Sequence, residues 1–170
     1  SLEHMQPETF YPHLIKFLNQ AKEGHDLSFS TYISSYMDLN VRVGFGQGNS
    51  ARVPWIAFLK DENIVSNGIY PVYLYYKSRD LLILAYGVSE KNAPKNRWPQ
   101  EVEKNPTIQQ YFDKNSLGNP ARYGNSYVFK AYYFKEPTEL DQDTIDEDLK
   151  NILNQYKTYT FKYEPIEGIP

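Results

Sequence analysis

Ser66-Asn67-Gly68-Ile69-Tyr70-Pro71-Val72-Tyr73-Leu74-Tyr75-Tyr76 is the stretch on which the fold turns. It opens on turn chemistry, and the residues that follow, Pro71 aside, are aromatic or branched with no charge among them. Such a run reads as a β-strand over about 69–77. By two-residue alternation Tyr70, Val72, Leu74 and Tyr76 share one face. Two further β-like runs stand just upstream, Gly44-Phe45-Gly46-Gln47-Gly48-Asn49 and Val53-Pro54-Trp55-Ile56-Ala57-Phe58-Leu59, each bounded by Gly, Asn or Pro. With them come strands at about 39–46, 53–60 and 81–86. The links between these strands are short: Gly46-Gln47-Gly48-Asn49, Ser66-Asn67-Gly68 and Lys77-Ser78-Arg79-Asp80. Short links favour antiparallel pairing of consecutive strands.

Outward from this block the period changes. Phe10, Leu14, Phe17, Leu18 and Ala21 recur at helical spacing, so about 8–23 reads as an amphipathic helix ended by Gly24. Ser30 to Tyr36 reads as a second short helix, capped by Ser28 or Ser30. Ser89 to Gln100 is polar with two prolines and reads as a long loop. Pro106 to Asp113 reads as a short helix with Pro in its first turn, Ser116 to Asn125 as an irregular loop, and Tyr127 to Phe134 as a fifth strand. Ile145, Leu149, Ile152, Leu153 and Tyr156 form the apolar stripe of a last helix, for which Thr144 with Glu147 matches a capping box. The expected fold is α+β: a mostly antiparallel central sheet of about five strands flanked by N-terminal and C-terminal helices.

At 170 residues, 41% hydrophobic, the chain is long enough for one domain with a sizeable core, taken as residues 5–163. Ser1-Leu2-Glu3-His4 ahead of Met5 reads as a cloning remnant, and residues 164–170 as the start of a linker. There is no Cys, and the three His all precede position 26, so thiol chemistry is excluded and no metal site is expected. No apolar run reaches the length of a membrane span, and a cytoplasmic location is the default expectation. The formal charge is −3, but the stretch from Glu139 to Lys150 holds six acids and one base, leaving +2 for the rest. A polyanion can therefore be met on a face away from that helix, although the basic field is modest.

The search for catalytic chemistry is negative. There is no phosphate loop of the Gly-x-x-x-x-Gly-Lys type, no nucleophile elbow and no His-Glu-x-x-His. Gly44 to Gly48 lacks the following helix and lysine that a phosphate loop needs. Asp61 and Glu62 are adjacent acids in an expected turn, and Asp38 and Asp80 sit at strand edges. No catalytic residue is assigned. Binding features are richer. The aromatic fraction is 16%, with 16 Tyr and 9 Phe. Trp55 lies in the strand beside Tyr70 and Leu74, and a Trp, a Tyr and a Leu around a small cavity would sandwich a planar base; the same residues would serve equally as ordinary core. Gln47 lies between glycines, which permit positive φ and close approach to a ligand, though an ordinary hairpin tip has the same composition. Arg122-Tyr123-Gly124-Asn125-Ser126-Tyr127 places a basic residue beside an aromatic one, a grouping suited to phosphate contact plus stacking.

Several of these stretches, in this order, closely resemble the N-terminal DNA-binding domain of the McrB family, the recognition subunit of GTP-dependent restriction enzymes that act on methylated DNA. They are Val41-Arg42-Val43 leading into Phe45-Gly46, Gly48-Asn49, Pro54-Trp55 with Ala57-Phe58-Leu59, and Ser66 to Val72. Further along they are Leu74-Tyr75-Tyr76-Lys77, Leu84-Ala85-Tyr86-Gly87, and Tyr123-Gly124 with Ser126-Tyr127. The resemblance implies a domain that binds duplex DNA carrying a modified, 5-methyl-type cytosine and turns that base into a pocket. The implied pocket residues are Trp55, Tyr70, Leu74 and Tyr123. The implied DNA-inserting loop is Gly46, Gln47, Gly48 and Asn49, and Arg42, Arg52 and Arg122 are candidate phosphate contacts. Gln47 departs from the family pattern, in which an aromatic residue fills the gap left by the flipped base. The resemblance also implies that GTP and Mg2+ act only on a motor domain absent from this chain, to which the linker leads. It further implies that the full-length protein is oligomeric and works with a separate nuclease subunit, with no cofactor in this chain. Two competing readings remain: a protein-interaction module using a Tyr-rich sheet surface and strand edges, and a small hydrolase or transferase.

Overall fold

The structure, a computed structural model, describes residues 9–46, 52–60, 68–91, 93–94 and 96–159. Residues 1–4, Gln47-Gly48-Asn49, Asp61-Glu62 and residues 164–170 lie outside the described residues. Six strands form one antiparallel sheet whose spatial order follows the chain: β1 (Ser35–Tyr36), β2 (Leu39–Gly44), β3 (Trp55–Leu59), β4 (Ile69–Tyr76), β5 (Leu81–Val88) and β6 (Tyr127–Tyr133). The helices are α1 (Tyr11–Glu23), α2 (Gln100–Glu103), α3 (Ile108–Lys114) and α4 (Gln142–Thr158). The α+β class and the antiparallel meander agree with the pattern of apolar runs and short links.

Three expectations are corrected. The sheet has six strands rather than about five, because part of Ser30–Tyr36 is strand β1 and not helix. Met37 (φ 49°) and Asp38 (φ 64°) form a two-residue turn with Tyr36 paired to Leu39. Two consecutive left-handed residues are what a tight hairpin of this hand requires, and methionine gives no signal of it. The α4 cap is Asp141, whose carboxylate accepts from the Thr144 amide at 3.0 Å and from its hydroxyl at 2.8 Å. The helix starts one turn earlier than the Thr144–Glu147 pair implied. α3 does have a capping box, in which Thr107 and Gln110 side chains each accept from the other's backbone amide. Pro106 therefore lies before the cap and not in the first turn.

The sheet is covered on both faces. On one, Phe10 of the α1 N-cap meets Phe58 and Tyr73, with ring centroids at 5.2 and 6.5 Å. On the same face α4 hydrogen-bonds through Asp148 to Tyr132 and through Gln155 to Tyr86. On the other face Phe112 of α3 sits edge-on to Tyr76 at 5.0 Å. Every residue of β4 is consequently buried. Its tyrosines do not form a wet sheet surface. Pro71, unusual in a central strand, is accommodated because the register between β3 and β4 ends at Val72, so its missing N–H removes no rung on that side.

Candidate functional site

The face of the sheet opposite α1 and α4 carries the candidate site. Gly44, Trp55 and Leu74 are consecutive cross-strand partners on β2, β3 and β4, so their side-chain positions form one row. Gly44 has a specific use here. A Cβ at this position would lie 2.3 Å from Cε2 of Trp55, so the indole lies directly over the glycine backbone. Tyr70 follows on the same face of β4, and the cross-strand partner of Tyr70 is Gly87 of β5. A Cβ on Gly87 would stand 2.6 Å from the Tyr70 carbonyl oxygen. Bare backbone at Gly44 and Gly87 thus makes room for the two aromatic side chains.

Trp55, Tyr70, Leu74 and Tyr123 line a single cavity, together with Val72 and Ser126. It is small, about 10 Å³. A wider groove of about 820 Å³ shares Trp55, Tyr70 and Tyr123 with it and adds Arg42, Glu90 and Arg122 at its sides. Leu74 is fully buried at 1% exposure, Tyr70 nearly so at 4%, and Trp55 and Tyr123 are half-buried. The four residues the resemblance named are therefore brought together from two strands and a distant loop. Burial pushes the Tyr70 hydroxyl well above the ordinary phenol range, reinforced by Tyr123 and Glu90. Burial raises Tyr123 as well, against the opposing effect of Arg122. Both phenols stay neutral at neutral pH and can donate as well as accept.

Tyr123 is set by a residue that the sequence did not single out. The Glu90 carboxylate accepts from Arg122 Nε at 2.7 Å and from the Tyr123 amide at 2.8 Å. Tyr123 has φ 66°, a left-handed backbone uncommon for a bulky residue. The Arg122 guanidinium stacks over its ring at 4.9 Å, and the Arg122 carbonyl accepts from Tyr76 Oη at 2.9 Å. Glu90 thus clamps the turn that carries the aromatic wall. Ser89, also unremarked in the sequence, lines the wide groove at 8% exposure, and its buried hydroxyl has no partner among the described residues. Both belong to a polar stretch without period, and a run of mixed loop residues carries no sign of which one turns inward.

Of the candidate phosphate contacts, Arg42 and Arg122 border the groove beside Trp55, and Arg52 borders a different one. Gly46, with φ 106°, is the described member of the candidate inserting loop and lines the same groove. Among the described residues no group of three or more His, Asp or Glu is placed to hold a metal ion, and no helix is long and apolar enough to cross a membrane.

A family model described as the MrcB-like, N-terminal domain matches residues 16–161. The chain is also 41% identical over 150 residues to the type IV methyl-directed restriction enzyme EcoKMcrB subunit of Escherichia coli strain K12. That match covers 88% of this chain and 32% of the relative, so the chain spans about a third of the relative's length.

Proposed function

Because the chain belongs to the family of MrcB-like N-terminal domains, we propose that it is the DNA-recognition domain of a modification-dependent restriction system, and that it binds duplex DNA by taking a modified cytosine out of the helix. The observation that carries this reading is the convergence of Trp55, Tyr70, Leu74 and Tyr123 on one cavity under an open groove. An extruded base would lie in the groove between the Trp55 indole and the Tyr70 and Tyr123 rings. Stacking there would offset the few kcal/mol that unpairing costs. The small cavity that shares these walls has room for about one methyl- or water-sized group, and Leu74 and Val72 give it an apolar side. A 5-methyl group is what such a space would accept. Arg42 and Arg122 would meet phosphates at the rim. GTP and Mg2+ would act on a motor domain, and cleavage would belong to a separate nuclease subunit, so this domain binds and does not cut.

The test is a comparison of affinities for duplexes differing by one 5-methylcytosine, at stated salt. One methyl group in an apolar pocket supports a preference of roughly 10- to 200-fold. Equal affinity for the two duplexes across a range of salt would reject the reading.

Ser89 supplies a finer check. A buried hydroxyl without a partner is a cost to the free domain, and it is offset if the bound base supplies the missing hydrogen bond. Ser89→Ala is expected to leave the melting temperature unchanged or slightly higher, and to weaken binding of the modified duplex by about 5- to 10-fold. A variant that melts lower and binds normally would make Ser89 purely structural.

A further inference from the structure

The segments that build the aromatic groove also build a second one. The turn that brings Arg122 and Tyr123 to the first groove lends Asn119, Pro120 and Ala121 to the second, and β4 contributes Tyr70 to one and Tyr76 to the other. The segment ahead of Trp55 likewise places Arg52 and Val53 in the second groove. This second groove, about 580 Å³, is lined by Lys22, Arg52, Lys77 and Arg79 against a single carboxylate among the described residues, Asp80. In a chain of net charge −3 that is a marked local excess of cations.

Three of these cations are held in place instead of trailing into solvent. Lys77 Nζ donates to the Ala21 carbonyl at 3.2 Å, and Arg79 Nε donates to the Leu117 carbonyl at 2.7 Å. Each keeps further N–H donors. Lys22 Nζ donates to the Lys135 carbonyl at 2.7 Å and lies 3.8 Å from the Glu136 carboxylate. Among the described residues no carboxylate forms an ion pair with Arg52, Lys77 or Arg79. Carbonyl oxygens position the charges without neutralising them.

We propose that this groove seats the sugar–phosphate backbone of the DNA strand whose base occupies the neighbouring aromatic site. The inference rests on the base-pocket reading for the identity of that strand. A polyanion is the partner the charge calls for, and a strand entering one groove runs past the turn that walls the other. Arg79, fixed at Nε, presents the planar fork that pairs with phosphate oxygens, and Lys77 adds a point charge.

The experiment measures affinity for modified and unmodified duplex from about 50 to 200 mM salt for the whole domain, its Lys77→Gln/Arg79→Gln double variant and Arg52→Gln. The expected result is a loss of about 3- to 10-fold for both duplexes in the double variant. The log–log salt slope should be shallower by roughly 1–2, with the modified-to-unmodified ratio unchanged. Lys77→Arg should keep the slope. A double variant that melts like the wild type with an unchanged slope overturns the proposal. If the double variant melts lower through loss of its carbonyl brackets, Arg52→Gln decides, because Arg52 makes no hydrogen bond among the described residues; an unchanged slope there is equally fatal. A wild-type domain that does not discriminate, but whose slope falls in the variants, would reject the base pocket and leave the phosphate groove standing.

Discussion

Trp55→Ala and Tyr70→Ala are each expected to weaken binding of a modified duplex by about 10- to 100-fold, with unmodified binding changed by no more than about threefold. The magnitude follows from base–aromatic stacking, and the selectivity follows from position. Trp55 and Tyr70 both line the groove and the small cavity beside it, whereas the proposed phosphate contacts are arginines that border the groove. The two variants differ in what they do to the fold. Trp55 is half-buried and lies over the bare backbone of Gly44, so its removal opens the groove without emptying the core. Tyr70 is 4% exposed, and its truncation will lower the melting temperature as well. Trp55→Ala is therefore the cleaner of the two, with thermal melts run beside both. Equal losses for the two duplexes, or a fall in melting temperature with no change in selectivity, would return these residues to the role of ordinary core. The fourth wall is tested indirectly through Glu90. Glu90→Gln keeps an acceptor but loses the charge that holds Arg122 and the Tyr123 amide, so it should move in the same direction by a smaller amount.

Legibility in the sequence followed the range of the interaction. Elements with a period of their own were readable: the apolar run of β4 with its alternating faces, the α4 stripe and Gly24, which takes φ 79° and closes α1 through an N–H to the Gln20 carbonyl. What depended on backbone sign at residues with no preference for it was not readable, as with Met37 and Asp38. The same division runs through the site. Trp55, Tyr70 and Leu74 stand in adjacent strands, and alternation alone places Tyr70 and Leu74 on one face. Tyr123 came by resemblance, because its position is set by Glu90, thirty-odd residues away across a loop. Arg52 illustrates the converse. It is a candidate phosphate contact together with Arg42 and Arg122, yet it lines the second groove with Lys77 and Arg79 and not the one that they border.

Tyr156→Ala is expected to destabilise the domain by about 3–5 kcal/mol, and Tyr156→Phe by about 1–2 kcal/mol, read as shifts in denaturant midpoint. Tyr156 is fully buried on α4, with Trp98 against its ring at 5.7 Å. Truncation to Ala removes that packing and leaves a cavity between α4 and the sheet. The hydroxyl has a separate role. Beyond Ala57 and Val72 strands β3 and β4 no longer pair. In the gap the Tyr156 oxygen accepts from the Lys60 amide at 3.2 Å and donates to the Ile69 carbonyl at 3.4 Å. A helix side chain thus bridges the two strand ends where β3 and β4 have stopped pairing. Phe keeps the packing and deletes the bridge. Because Ile69 immediately precedes Tyr70, the bridge also fixes the strand on which the aromatic wall is mounted. The Phe variant should therefore lose some preference for modified duplex, by about two- to fourfold, at temperatures where it remains folded. A Phe variant as stable as the wild type would mean that the two strand ends satisfy each other without the hydroxyl.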